Sequence, residues 1–271
     1  MPNLSELKRS VELKLSRAGQ QAQALSASIS SWGTQNPINA DCTLLENRLG
    51  FRLILKEFQT PPPLDEWSLW LGECVHNLRS ALDNLAFALA RLRQDPPQRP
   101  NQIAFPIYED RSKFQDRGCQ NIDQLPRAAA DLIEKLQPFQ RDGSPTLGTP
   151  DRDALVLLQA LNNTDKHRVP TLVLIAPSEI THEVGVTFYS DQDASVNVPP
   201  DTTVWAGPLS PGVVLLEWRT TKPIASVTGG VTAKAIVAIQ RNEISLPVGT
   251  TLRALHGYTM LVVSQFNQFF R

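Results

Sequence analysis

Two short runs in this chain gather residue types that can move protons and hold charge. The first is Glu73, His76, Asn77, Arg79, Ser80 and Asp83; the second is Asn162, Asn163, Asp165, Lys166, His167 and Arg168. A histidine can act as acid or base near neutral pH, an arginine can stabilise an anion, and a carboxylate can orient either. His76, Arg79, Asp83, Asp165, His167 and Arg168 are therefore the candidate catalytic residues.

Both runs lie in sequence with helical periodicity. With successive residues roughly 100° apart, Leu71, Val75, Leu78, Leu82, Leu85 and Leu89 share one sector of a helix from about Trp67 to Arg93. His76, Arg79, Ser80 and Asp83 share a second sector nearly opposite, with Glu73 beside them and Asn77 and Asn84 along its flank. A solvated helical face is normally rich in Lys, Glu and Gln, whereas Asn, Ser and Asp compete for backbone hydrogen bonds in mid-helix. This face is either functional or a structural hydrogen-bond network. Cys74 sits at the edge of the apolar sector, where burial is the simpler account.

A second helix, from about Asp151 to Arg168, places Asp165 in line with Ala154, Leu158 and Leu161. A carboxylate on a buried face needs a cationic or hydrogen-bonding partner. Arg168, Arg79 and His76 are the candidates, which leads to the expectation that the two helices pack with their polar groups in register. Alternatively, Lys166, His167 and Arg168 complement the dipole at that helix's end. Glu73-x-x-His76 has a spacing used by di-iron bundles, but such a site needs a second copy and further carboxylates, so no metal is expected. No cofactor fingerprint is present. His182 and His256 are read as surface or packing residues, and Gly229-Gly230 as a turn.

Other elements must position these helices. The chain has 271 residues, 41% hydrophobic and 20% charged, a globular balance long enough for one large domain or two ordinary ones. Its net charge of −1 provides no global basic field for nucleic acid. Cys42, Cys74 and Cys119 make neither a disulfide framework nor a zinc ribbon. With no apolar run of about 20 residues and no signal-like start, a cytoplasmic chain without membrane contact is expected. An amphipathic stripe from Leu4 to Trp32, ending at Gly33, packs in a bundle or against a second copy in a homodimer. A hairpin follows, turning at Asn47 to Gly50. Residues 94–127 read as irregular, with Phe105-Pro106-Ile107 docked on the bundle, and a short helix spans about Arg127 to Leu136. Beyond Pro170, β-rich runs at Thr171–Ile175, Glu183–Tyr189, Val213–Trp218, Thr232–Ile239 and Glu243–Leu246 precede a helix capped by Thr250 or Thr251. The expected fold is α+β: a helical bundle with a β-hairpin over 1–170, then an antiparallel β-region with a C-terminal helix over 171–271.

The phrases Gly72-Glu-x-x-His76-Asn-Leu-Arg79-Ser-Ala-Leu-Asp83-Asn84, Phe105-Pro106-Ile107 and Leu161-x-Asn163-x-Asp165-Lys-His-Arg168 resemble a group of uncharacterised bacterial proteins. In that group the first phrase reads HNLRSALDH. The chain also bears a fainter resemblance to HEPN domains, helical bundles of RNA-cleaving proteins whose signature is an arginine followed four to six residues later by a histidine, near a dimer interface. Arg79 matches that arginine. Asn84 stands where the histidine would fall, and an amide cannot act as a general base. The resemblance implies an RNA-binding or RNA-processing protein, with His76 or His167 in the acid–base role and Arg79 and Arg168 holding the phosphorane-like charge. Two other readings stay open: a non-catalytic interaction module in which the polar cluster is an internal latch and the β-region the binding surface, and a hydrolase acting on a small molecule between bundle and sheet.

Overall fold

The computed structural model describes residues 4–144, 146–167, 170–176, 182–197, 201–241 and 243–271; for 4, 5, 166, 167, 182 and 183 it describes the backbone alone. The fold is α+β, with an N-terminal helix, a two-stranded hairpin, further antiparallel strands and a C-terminal helix. Its two compact units are interleaved along the chain. One comprises Met1–Ser26, Asp65–Pro170 and Gly249–Arg271, the other Ala27–Leu64 and Thr171–Val248. A single cut at residue 170 does not describe this division. The hairpin belongs with the later strands, which pair with it, and the C-terminal helix belongs with the helices.

The helical unit takes its first element from α1 (Leu4–Gln35) as far as Ser26, which buries Leu7, Val11, Ala18 and Leu25 at steps of four and seven residues. The helix does not stop at Gly33. It runs on to Gln35 and ends where the Asn36 amide and backbone N–H both donate to the Trp32 carbonyl and Pro37 follows. α2 (Leu64–Arg93) carries Asp65 and Glu66 in its first turn and Arg91 and Arg93 in its last, each complementing the helix dipole. Leu71, Leu78, Leu82, Leu85 and Leu89 are fully buried.

The stretch read as irregular contains α3 (Arg111–Lys113), a π-helical turn (Phe114–Gly118) and α4 (Cys119–Ile122). Asp110 caps α3 by accepting from the backbone N–H groups of Ser112 and Lys113. α5 (Arg127–Lys135) and α6 (Ala154–His167) follow, with Leu155, Leu158 and Leu161 of α6 buried. The last long helix, α8 (Val248–Ser264), buries Leu252, Leu255 and Val262.

Among the described residues the other unit holds nine strands: β1 (Ile38–Leu44), β2 (Gly50–Leu55), β3 (Leu172–Ile175), β4 (His182–Phe188), β5 (Asp201–Val204), β6 (Val214–Arg219), β7 (Ile224–Ala233), β8 (Ile236–Arg241) and β9 (Ile244–Pro247). α7 (Asp191–Ser195) lies between β4 and β5, and α8 (Val248–Ser264) follows β9 directly, two residues before the expected threonine cap. One sheet has the order β4-β7-β1-β2-β6-β5, the other β3-β8-β9, and all pairings are antiparallel. The hairpin β1–β2 is thus the centre of the larger sheet. Gly229 and Gly230 are not a turn: they sit inside the ten-residue strand β7. A Cβ on Gly230 would lie 3.1 Å from the Ala40 carbonyl oxygen, so a close backbone approach explains that glycine. Bulges between Leu53 and Ile54 and between Thr187 and Phe188 sharpen the sheet's curvature.

Candidate functional site

The polar sector of α2 does not act as one surface. Arg79 Nη2 donates to the Phe105 carbonyl at 2.7 Å and pairs with Asp83 Oδ1 at 2.9 Å. That same carboxylate oxygen accepts from the Phe105 backbone N–H at 3.0 Å. The two side chains, one helical turn apart, therefore grip both polar groups of a single peptide residue in the loop after α2. The Phe105 ring is fully buried, in keeping with the expectation that an apolar group in this loop docks. The Arg79 side chain is 12% exposed. Burial pulls its guanidinium below the ordinary arginine range, and the Asp83 charge opposes that pull. Its Nη1 is buried with no hydrogen-bond partner among the described residues.

The opposite flank of α2 is tied to α1. Lys14 Nζ donates to Asn77 Oδ1 at 2.9 Å, Asn77 Nδ2 donates to Gln21 Oε1 at 2.8 Å, and Gln21 Nε2 donates to Glu73 Oε2 at 2.8 Å. Beside this chain the buried Cys74 thiol donates to the Ala18 carbonyl at 3.3 Å, and burial pushes its pKa up to about 12. His76 is left exposed between the two sets, with its Nε2 3.3 Å from Ser80 Oγ.

α6 meets α2 at Gly72. A Cβ there would stand 2.0 Å from Asp165 Oδ1 and 2.7 Å from its carboxyl carbon, so only glycine admits the carboxylate at this position. Asp165 thus faces α2, as its place on the apolar stripe implies, but it does not pair with Arg79. That guanidinium is engaged by Asp83 and Phe105, and the carboxylate lies against backbone. Asp165 is half-buried and, among the described residues, makes no ion pair or hydrogen bond with His76. The side chain of His167 and the whole of Arg168 lie outside the described residues. One turn earlier on α6, Asn162 is 1% exposed with neither end of its amide bonded among the described residues.

One cluster had no sequence signal. Arg141 Nε donates to Asp153 Oδ2 at 2.6 Å, and Arg141 Nη2 donates to the Tyr258 hydroxyl. Asp153 also caps α6, its Oδ1 accepting from the Leu155 backbone N–H at 2.8 Å. Burial works against the Arg141 charge, but the hydrogen bond and charge of Asp153, with a smaller contribution from Tyr258, raise its pKa on balance. Burial, then the Asp153 charge, pushes the Tyr258 hydroxyl up, with Arg141 pulling the other way. An aspartate immediately before an apolar helix was the only local hint, and it predicts a cap rather than an ion pair.

Comparison of this chain with protein-family models, with curated proteins and with solved structures found no match. Among the described residues no group of three or more His, Cys, Asp or Glu is placed to hold a metal ion, and no helix is long and apolar enough to cross a membrane. Glu73, half of the possible metal pair, has an oxygen occupied by Gln21. His256, read as a surface or packing residue, has its Nε2 3.1 Å from the Leu15 carbonyl oxygen and packs over Gly19.

Proposed function

We propose that this chain is a non-catalytic binding module, in which Arg79 and Asp83 form an internal latch and the β-rich unit carries the binding surface. The supporting observation is that the Phe105 peptide occupies both charged groups. Stabilising a phosphorane-like transition state requires a guanidinium aimed at open space where the phosphate will sit. Arg79 instead spends its Nη2 on a carbonyl and a carboxylate in a largely buried setting. An arginine held this way organises a loop.

The competing reading is an RNA-binding or RNA-processing protein of the HEPN kind, acting as a homodimer in the cytoplasm. It draws on a different observation: His76 is exposed, with Ser80 beside it, and so is reachable by a substrate. One experiment separates the two. The purified protein and its Arg79→Ala and His76→Ala variants are incubated with mixed-sequence RNA in EDTA, and each variant is melted. The latch reading expects intact RNA throughout, a lower melting temperature for Arg79→Ala and an unchanged one for His76→Ala. RNA cleavage that survives EDTA and disappears in His76→Ala would overturn it in favour of the nuclease.

A further inference from the structure

We propose that the curled six-stranded sheet binds a small, uncharged, single-ring aromatic molecule in the cavity walled by Phe51, Leu53, Val184, Val186, Leu216 and Trp218. This names the ligand class for the binding surface proposed above and rests on that reading.

The cavity follows from the strand register. Phe51 pairs with Trp218 and Leu53 with Leu216 across β2 and β6, so all four side chains project from one face. Val184 and Val186 lie on β4, at the far edge of the sheet order, three strands from β2. They line the same cavity as Thr202 of β5, the opposite edge strand. Side chains from both edges can share a cavity only because the sheet coils on itself. The two bulges and the glycines of β7 permit that coiling. Gly229, opposite Val184 in the ladder, has a φ of 98°, a backbone conformation open to glycine.

Size and chemistry then select the guest. The cavity measures about 140 Å³, close to the roughly 150 Å³ of an engineered Leu/Ile/Phe-lined cavity that stays dry and takes up benzene. It falls below the roughly 300 Å³ at which drug-sized pockets begin, so a single ring fills it. No charged side chain lines it, and its single hydroxyl is that of Thr202. A charged guest would lose part of its hydration without a compensating partner. The Phe51 and Trp218 rings already meet edge to face, with centroids 5.0 Å apart and planes at 61°. A third ring can join the same arrangement. Trp218, Leu216, Val184 and Val186 remain half-exposed, leaving apolar surface for a guest to cover.

The test uses the full chain, labelled with ¹³C in its valine and leucine methyl groups and titrated with benzene. We expect saturable shifts at Leu53, Val184, Val186 and Leu216, no shift at Leu71 or Leu158, and a melting temperature that rises with benzene concentration. Val186→Phe, which fills the cavity, should weaken binding at least tenfold while keeping a dispersed spectrum. Leu216→Phe fills it from the opposite wall and serves if the first variant does not fold. Absence of saturable shifts in the parent protein, shifts spread over both units, or unchanged affinity in a folded filled variant would overturn the inference. The two proposals fail separately. Uncut RNA with no benzene binding removes only the aromatic guest, whereas EDTA-resistant RNA cleavage alongside benzene binding removes only the non-catalytic reading.

Discussion

Two of the helical unit's arginine–aspartate pairs are built on opposite plans. Arg79 and Asp83 are four residues apart on one helix, and their shared business is the backbone of Phe105. Arg141 and Asp153 lie on either side of a loop and enlist Tyr258, 117 residues beyond Arg141. Asp83 is 38% exposed at its side chain, Asp153 only 1%. Water can take over from a lost partner at the first site but hardly at the second. Burial, more than spacing or bond length, sets what each pair is worth.

The sharpest way to break this comparison is to remove the buried carboxylate. Asp153→Ala strands a mostly buried guanidinium, uncaps α6 and frees the Tyr258 hydroxyl. We expect a loss of about 3–5 kcal/mol, the range for breaking one half of a buried pair, measured by urea denaturation. Asp153→Asn keeps an oxygen for the cap and should recover about 1 kcal/mol of that. A loss under about 1 kcal/mol for Asp153→Ala would mean that the pair behaves as a surface salt bridge.

Arg79→Ala should cost less, about 2 kcal/mol, the usual value of a hydrogen bond to a charged group plus the exposed remainder of its partner. The loop should also loosen, seen as faster amide exchange at Phe105, whose N–H would still have Asp83 but without the arginine to position it. If Arg79→Ala proves costlier than Asp153→Ala, the ranking by burial is wrong.

The two pairs were unequally legible in the sequence, for a physical reason. Leu71, Leu78, Leu82 and Leu85 mark the buried side of α2, and residues three and four apart on its other side must be neighbours, so the meeting of Arg79 with Asp83 is local geometry. The same arithmetic turned Asp165 towards α2. It did not identify the contact, because Gly72 offers no side chain to pair with and its role appears only as the space a Cβ would fill. Arg141 lies in a stretch with no periodicity, and no local rule connects it to a tyrosine on the last long helix. In the sheet, Gly229-Gly230 imitated a turn because glycine serves both turns and close-packed strand bends. The strand β5 is exposed at every position, so it shows no apolar alternation to find.

A finer comparison of the pairs comes from pH. The Tyr258 hydroxyl titrates above its ordinary value in the folded protein, through burial first and the Asp153 charge second. A raised folded-state pKa contributes stability that is complete below the unfolded value of about 10 and is lost as pH climbs past it. The decline above that point cannot exceed one proton, about 1.4 kcal/mol per pH unit, and solvent screening at this half-buried group makes it smaller. Phenolate absorbance should show one of the three tyrosines ionising last. In Tyr258→Phe that late step should vanish and the alkaline decline flatten. An alkaline profile identical to the parent would show that Tyr258 is not coupled to the buried pair.

The smallest effect has the opposite sign. Asn162 shares α6 with the cap of the buried pair, yet its amide makes no hydrogen bond among the described residues while its side chain is 1% exposed. A buried polar group without partners is a net cost, and an apolar side chain of similar size in its place avoids that cost. Asn162→Leu should therefore stabilise the protein by about 1 kcal/mol, whereas both arginine–aspartate pairs can only lose by substitution. The same denaturation series that ranks the pairs reads this gain. A clear loss in Asn162→Leu would mean that the amide has a partner in the working protein, and binding lost along with it would locate a second site on α6. Gain at Asn162 beside loss at Asp153 would show that, within this one helix, partnering decides whether a buried polar side chain supports the fold or burdens it.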